Sequence, residues 1–290
     1  MSPAAAFAPS LAEALRSARN QDGGWGYTAG KRSRLEPTAV ALLALGLGGE
    51  LGRVVEAWPR RGPIILEPGI ETVNYTANAL AALVGVSASP KAPADWLRRL
   101  LAGLIDVEGR KTPPGDPAIN RQDNALRGWP WVDGTFSWAE PTAWCVLALK
   151  RGARQAEAQA ARTRIEEGER LLIDRVCEPG GWNYGNSNVF RKNLPPYIPT
   201  TAIALLALQG RDHPAVARSV SFLHEHRLSE KSGLALALTQ ICLGIYGQSA
   251  GDVVGALAAQ WERSRYLGNV HATALALYAS TGSAYEAFRV

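Results

Sequence analysis

The chain has 290 residues, 47% of them hydrophobic, with nine tryptophans and a net charge of +5 from 31 basic and 26 acidic side chains. No Lys/Arg run exceeds two residues, which argues against a nucleic-acid partner. No apolar run reaches the ~18–20 residues that span a bilayer. The three cysteines, Cys145, Cys177 and Cys242, form no CxxC pair, so a reducing compartment is expected. The N-terminus has no basic start leading into an apolar core, so no signal peptide is read there. The expectation is one domain over residues 1–290, cytoplasmic, with peripheral membrane contact left open.

In chain order, Ser10–Ala18 reads as an amphipathic helix ending in the Gly-rich turn that carries Trp25 and Tyr27. The basic loop Lys31–Arg34 leads into an apolar helix, Pro37–Leu47. Leu51–Trp58 is read as the next helix and Gly62–Gly69 as a Pro-marked connection. Thr76–Leu83 is again apolar, and Ala94–Ile105 is amphipathic at helical spacing. Asp106–Gln122, with Pro113, Pro114, Gly115 and Pro117, is a flap or a solvated insertion.

Arg127–Leu149 holds an aromatic loop with Asp133, then a helix opening at Glu140-Pro141-Thr142, where Pro suits the first turn. A charged helix, Ala153–Val176, precedes Gly180–Gly185 and the apolar helix after Tyr197. Helices around Ala215–His226 and Val253–Arg263 alternate with apolar helices after Ser232 and Val270. His213, His224 and His226 fall on or near an outer helix. No convincing strand run is present.

Three copies of one pattern stand out: GGWGY then LEPTAVALLALG, RGWPW then AEPTAWCVLAL, and GGWNYG then YIPTTAIALLALQG. Weaker copies follow Val73, Ser232 and Val270. A helix apolar on every side must be enclosed on every side. Six such helices alternating with six half-exposed ones predict an all-α fold of two concentric rings, an α6/α6 toroid. A linear solenoid is the competing geometry.

This motif resembles the prenyltransferase and squalene-cyclase repeat, over nearly the whole chain. The resemblance implies the α6/α6 barrel of the terpenoid cyclase and protein prenyltransferase superfamily. It also implies an apolar central cavity holding an isoprenoid, with inner-helix N-termini lining one mouth. Aligning the Thr-Ala segments puts Glu36, Asn74, Glu140, Pro199 and His271 at that mouth. Class II terpene cyclases carry Asp-x-Asp-Asp-Thr-Ala in the same register. Here Glu36 and Glu140 each keep one acid and lack the supporting carboxylates, so each is read either as an acid or as a favourable charge at a helix N-terminus.

Residues Arg127–Ser137 resemble the zinc loop of protein prenyltransferases, but Thr135 stands where the cysteine ligand would be. No metal is therefore expected, and no cofactor, with Mg²⁺ entering only if the substrate is a diphosphate. Asp133 is read as a catalytic or a turn residue, and His271 as an acid or base. Trp25 and Trp182 are read as packing, and Trp131, Phe136 and Trp138 as cavity candidates. Tyr75 and Tyr197 join them as substrate-binding candidates. Lys31, Arg32 and Arg34, Arg127, and Arg191 with Lys192 suggest a ring of cations for a diphosphate.

The sequence thus points to an isoprenoid-processing enzyme acting on a polyprenyl or polyprenyl diphosphate substrate. The alternatives are a non-catalytic relative that binds a lipid or a protein, and a protein prenyltransferase-like subunit.

Overall fold

The structure, a computed structural model, describes residues 3–89, 94–113, 115–116, 119–152, 158–281 and 284–290. Pro114, Pro117 and residues 153–157 of the expected Ala153–Val176 helix lie outside the described residues.

Six apolar helices form the inner layer: α2 (Leu35–Ala44), α4 (Tyr75–Ala88), α6 (Ala139–Arg151), α8 (Ile198–Ala207), α10 (Gly233–Ile245) and α12 (Val270–Thr281). Each packs on the next, and α12 packs back on α2, so the ring closes. The outer layer is α1 (Pro3–Ser17), α3 (Leu51–Val54) with its preceding 3₁₀ turn, α5 (Asp95–Asp106), α7 (Ala158–Asp174), α9 (Pro214–Glu225) and α11 (Gly251–Ser264). This is the α6/α6 toroid, and the closed ring rules out the linear solenoid.

The inner helices are buried because they lack a polar face: α4 is buried continuously from Tyr75 to Val86. Outer helices are two-faced, and α5 turns Leu97, Leu100, Leu101 and Leu104 inward. Cys145, Cys177 and Cys242 are buried and free.

The expected helix Leu51–Trp58 stops at Val54 and runs on as turns to Trp58, the residue before Pro59, where helical geometry is disfavoured. Two short hairpins also occur, β1 (Arg60–Arg61) with β2 (Ile64–Ile65) and β3 (Asn188–Val189) with β4 (Lys192–Asn193). Two-residue strands leave no alternation for the sequence to show.

The repeated motif forms one lock, built three times. Thr38, Thr142 and Thr201 each accept a hydrogen bond from the backbone N–H of Trp25, Trp129 and Trp182, at 2.9, 3.0 and 2.9 Å. Each indole N–H donates to a carbonyl of the preceding outer helix: Leu15, Leu104 and Leu172, at 2.7, 2.8 and 2.6 Å. All three tryptophans are fully buried. The glycine before each Trp is required: a Cβ on Gly24, Gly128 or Gly181 would sit 2.9, 2.5 or 2.6 Å from the threonine Oγ1. In the second repeat, Asn78 does the threonine's work, with its amide bonding both N–H and C=O of Ile65 at 2.9 Å.

The barrel axis is filled. One turn below the helix starts, Val40, Leu80, Trp144, Ile203, Leu238 and Leu275 are each at most 4% exposed. From the far end Phe288 enters, with its ring 5.9 Å from Trp144 of α6 and 5.4 Å from Tyr278 of α12. The tail is held there by Gln209 Nε2 on the Phe288 carbonyl and Arg151 Nη1 on the Arg289 carbonyl, both 2.7 Å. The deep apolar cavity expected from the resemblance is therefore closed by side chains among the described residues.

Thr142→Val keeps shape and removes the acceptor that Trp129 N–H uses. The expected cost is about 1–3 kcal/mol, from one buried unpaired donor, read by urea unfolding of the variant and the wild type.

Candidate functional site at the toroid mouth

The lock aims a second aromatic residue at a neighbouring helix. Two positions beyond each locked Trp stand Tyr27, Trp131 and Tyr184. Their carbonyls accept from Val270 N–H of α12 (2.9 Å), Tyr75 N–H of α4 (3.1 Å) and Ala139 N–H of α6 (2.9 Å). These bonds satisfy orphan donors in the first turns of three inner helices. They also set aromatic rings around the mouth.

The second residue of each inner helix stands at this end of the toroid: Glu36, Thr76, Glu140, Pro199, Leu234 and His271. Asn74 does not occupy this position. It caps α4, accepting from Ala77 N–H at 3.0 Å. Because Asn78, not Thr76, plays the locking role, the true register of the second repeat lies two residues later than the Thr-Ala alignment gives. Thr76 is 3% exposed, and its hydroxyl has no partner among the described residues.

Glu36 and Glu140 differ sharply. Glu36 accepts the Tyr27 hydroxyl proton and lies 3.8 Å from His271 Nδ1. Burial, followed by the Glu36 charge, pushes the Tyr27 phenol far above its ordinary range. Burial holds the His271 imidazole below its usual value, partly offset by Glu36. Its Nε2 is buried without a partner among the described residues. Glu140 has no hydrogen bond or ion pair among the described residues. Burial, then repulsion from Glu36, raises its carboxyl to about 7.

Aromatic rings gather at the start of α6, where the Tyr184 carbonyl bonds Ala139 N–H. Trp131 stacks on Trp138 at 5.3 Å, Tyr184 meets Trp131 edge-on at 5.7 Å, and Tyr197 lies 5.2 Å from Tyr184. Glu140, with burial, also raises the Tyr184 phenol. Tyr27 and Tyr184 repay the +2 spacing after each repeat Trp, a signal present in the sequence that the choice of site residues left out. Glu67 gave no such signal. It is 9% exposed and accepts from Leu35 N–H at the start of α2, at 2.7 Å.

Other expected residues lie elsewhere. Asp133 is half exposed and bound by Arg61 and the Tyr75 hydroxyl, in a network separate from His271. Phe136 is 45% exposed and lies under Arg110 at 6.0 Å, lining a side cavity of about 410 Å³ that Trp138 also borders. The expected ring of cations is not assembled. Arg127 pairs with Glu108 at 2.9 Å and with Glu167 of α7 at 3.4 Å, on the outer side. Arg34 pairs with Glu67 at 3.5 Å, and Arg191 and Lys192 sit at the exposed β3–β4 turn. Among the described residues, no three His, Cys, Asp or Glu side chains converge as metal ligands.

The mouth therefore offers a carboxyl that is half protonated near neutrality, a neutral imidazole, a second carboxyl and a wall of π faces. That set can donate a proton, face a cation and take a proton back.

A folded-state carboxyl raised from 4.5 to about 7 binds its proton more tightly than the unfolded chain does. Stability from this group is full below pH 4.5 and is lost as pH rises to about 7, by at most about 3 kcal/mol. Glu140→Gln should remove that slope. Urea unfolding at pH 5 and pH 8 checks it: the wild type should weaken more than the variant between the two.

No protein-family model and no curated protein matches the chain. Among solved structures it is similar to ent-copalyl diphosphate synthase from Streptomyces platensis, with 17% identity and a TM-score of 0.52. That match covers 97% of this chain and 50% of that one, so the chain spans half the synthase's length. It is also similar to the type II terpene cyclase MstE from Scytonema (apo), with 17% identity and a TM-score of 0.52, over 90% of this chain and 77% of that one. What the chain shares with these two terpene cyclases is the α/α toroid fold.

Proposed function

We propose that the chain is an isoprenoid-processing enzyme of the terpene-cyclase type, using Glu140 as its acid. The observation that carries this reading is a carboxyl raised to about 7, without a side-chain partner among the described residues, at the helix start where Tyr184 and its neighbouring rings gather. Glu140 transfers its proton to one carbon of a substrate alkene, and the cation forms on the other. Ring closure onto a second alkene moves the cation, which Trp131, Trp138 and Tyr184 face. His271 or Glu36 takes the final proton, and solvent reprotonates Glu140.

With the axis filled, the substrate lies across the mouth rather than down the barrel. The filled axis also favours a second reading, a non-catalytic relative that binds an apolar ligand at the mouth.

Incubation with geranylgeranyl diphosphate, farnesyl diphosphate and squalene, each with product analysis, separates the two. The enzyme reading expects a cyclised product. It also expects turnover falling as pH rises above about 7, where Glu140 loses its proton, and a loss of roughly 10²-fold or more in Glu140→Gln. Unchanged turnover in the variant removes Glu140 from the chemistry. Bound lipid with no conversion supports the binding reading.

A further inference from the structure

The turn joining β3 to β4 is built from unusual residues. Phe190 and Arg191 both adopt left-handed backbone conformations, with φ of 51° and 59°. A two-residue hairpin loop of this kind ordinarily takes Asn-Gly. A side chain costs free energy there, and such strain persists where it serves a purpose. Here it displays an apolar ring: Phe190 is 68% exposed.

Phe190 is not alone. Its backbone N–H bonds the carbonyl of Ile119 at 2.9 Å, and Asn120 bridges Val189. Ile119 is 51% exposed. The two side chains therefore ride on one platform, made where the hairpin meets Ile119 and Asn120. Arg121, Arg191 and Lys192 are exposed around it and make no ion pair among the described residues. The nearby Glu178 accepts from Asn193 at 3.2 Å.

We infer that this tip docks the protein on an anionic lipid surface, with Phe190 and Ile119 entering the interface and the three cations meeting the headgroups. Apolar insertion and cationic attraction are two weak signals that together give stable, reversible attachment. The charge pattern selects this occupant, because exposed cations next in sequence to an apolar tip complement an anionic surface. The inference goes beyond the proposed reaction and holds whether or not the mouth is catalytic.

The test is co-sedimentation of the full chain with vesicles of phosphatidylcholine alone or with 30% phosphatidylglycerol. Wild type should bind the anionic vesicles at least tenfold more tightly than the neutral ones, and raising salt from 0.1 to 0.5 M should weaken binding. Phe190→Gly should lose binding tenfold while its thermal midpoint stays equal or rises, because glycine relieves the left-handed strain. Arg191→Glu with Lys192→Glu should abolish the preference for anionic vesicles. The inference is overturned by absence of binding to either vesicle, by equal binding of Phe190→Gly, or by self-association in solution that Phe190→Gly removes, which would assign the tip to a second copy.

Discussion

A threonine hydroxyl bonded to the backbone of a tryptophan, made at residues 38, 142 and 201, is the constraint on which this structure rests. It fixes the loop to an inner helix, while the indole of the same Trp fixes it to an outer one. The two rings of helices are thus joined through a single residue. The next two residues are then set in place, and the carbonyl of the second bonds the first turn of a neighbouring inner helix. The lock thereby ties one repeat to another and decides where Tyr27, Trp131 and Tyr184 point. The aromatic mouth is a by-product of how the toroid is closed.

Much of this was legible in the sequence. Glycine, tryptophan and threonine recur at fixed roles, and helices without a polar face announce their own enclosure. The structural reading of Trp25 and Trp182 follows from the same repetition. Two things were not legible. The second repeat substitutes Asn78 for the threonine, so a letter-by-letter alignment on Thr76 shifts that helix by two residues and brings Asn74 forward wrongly. The filling of the axis was also hidden. Trp144 reads like any apolar helix residue, and nothing local says that Phe288 returns through the opposite end to meet it. Long-range pairings such as Glu67 with Leu35, or Asp133 with Arg61, depend on closure and leave no local mark.

The two glutamates show how one register can carry two environments. Both begin an inner helix with the same Glu-Pro-Thr. Glu36 faces the first repeat's Tyr27 and, through ring closure, His271 of the last helix. Glu140 lies near Tyr184 of the fourth repeat's loop, and its carboxyl has no donor among the described residues. Partial burial without a partner among the described residues favours the neutral carboxyl, and the Glu36 charge adds to this. Environments that push like groups apart are what separate an acid from its neighbours. Here the separation comes from which loop stands opposite each helix start.

The central claim is that the Glu140 carboxyl keeps its proton to near neutrality because it is partly buried near Glu36 with no donor among the described residues. A ¹³C NMR titration of carboxyl-labelled glutamate, with the Glu140 signal assigned by its loss in Glu140→Gln, measures this directly. The account predicts a midpoint at about 7. A midpoint between 4 and 5, the ordinary range of a solvated glutamate, would contradict it.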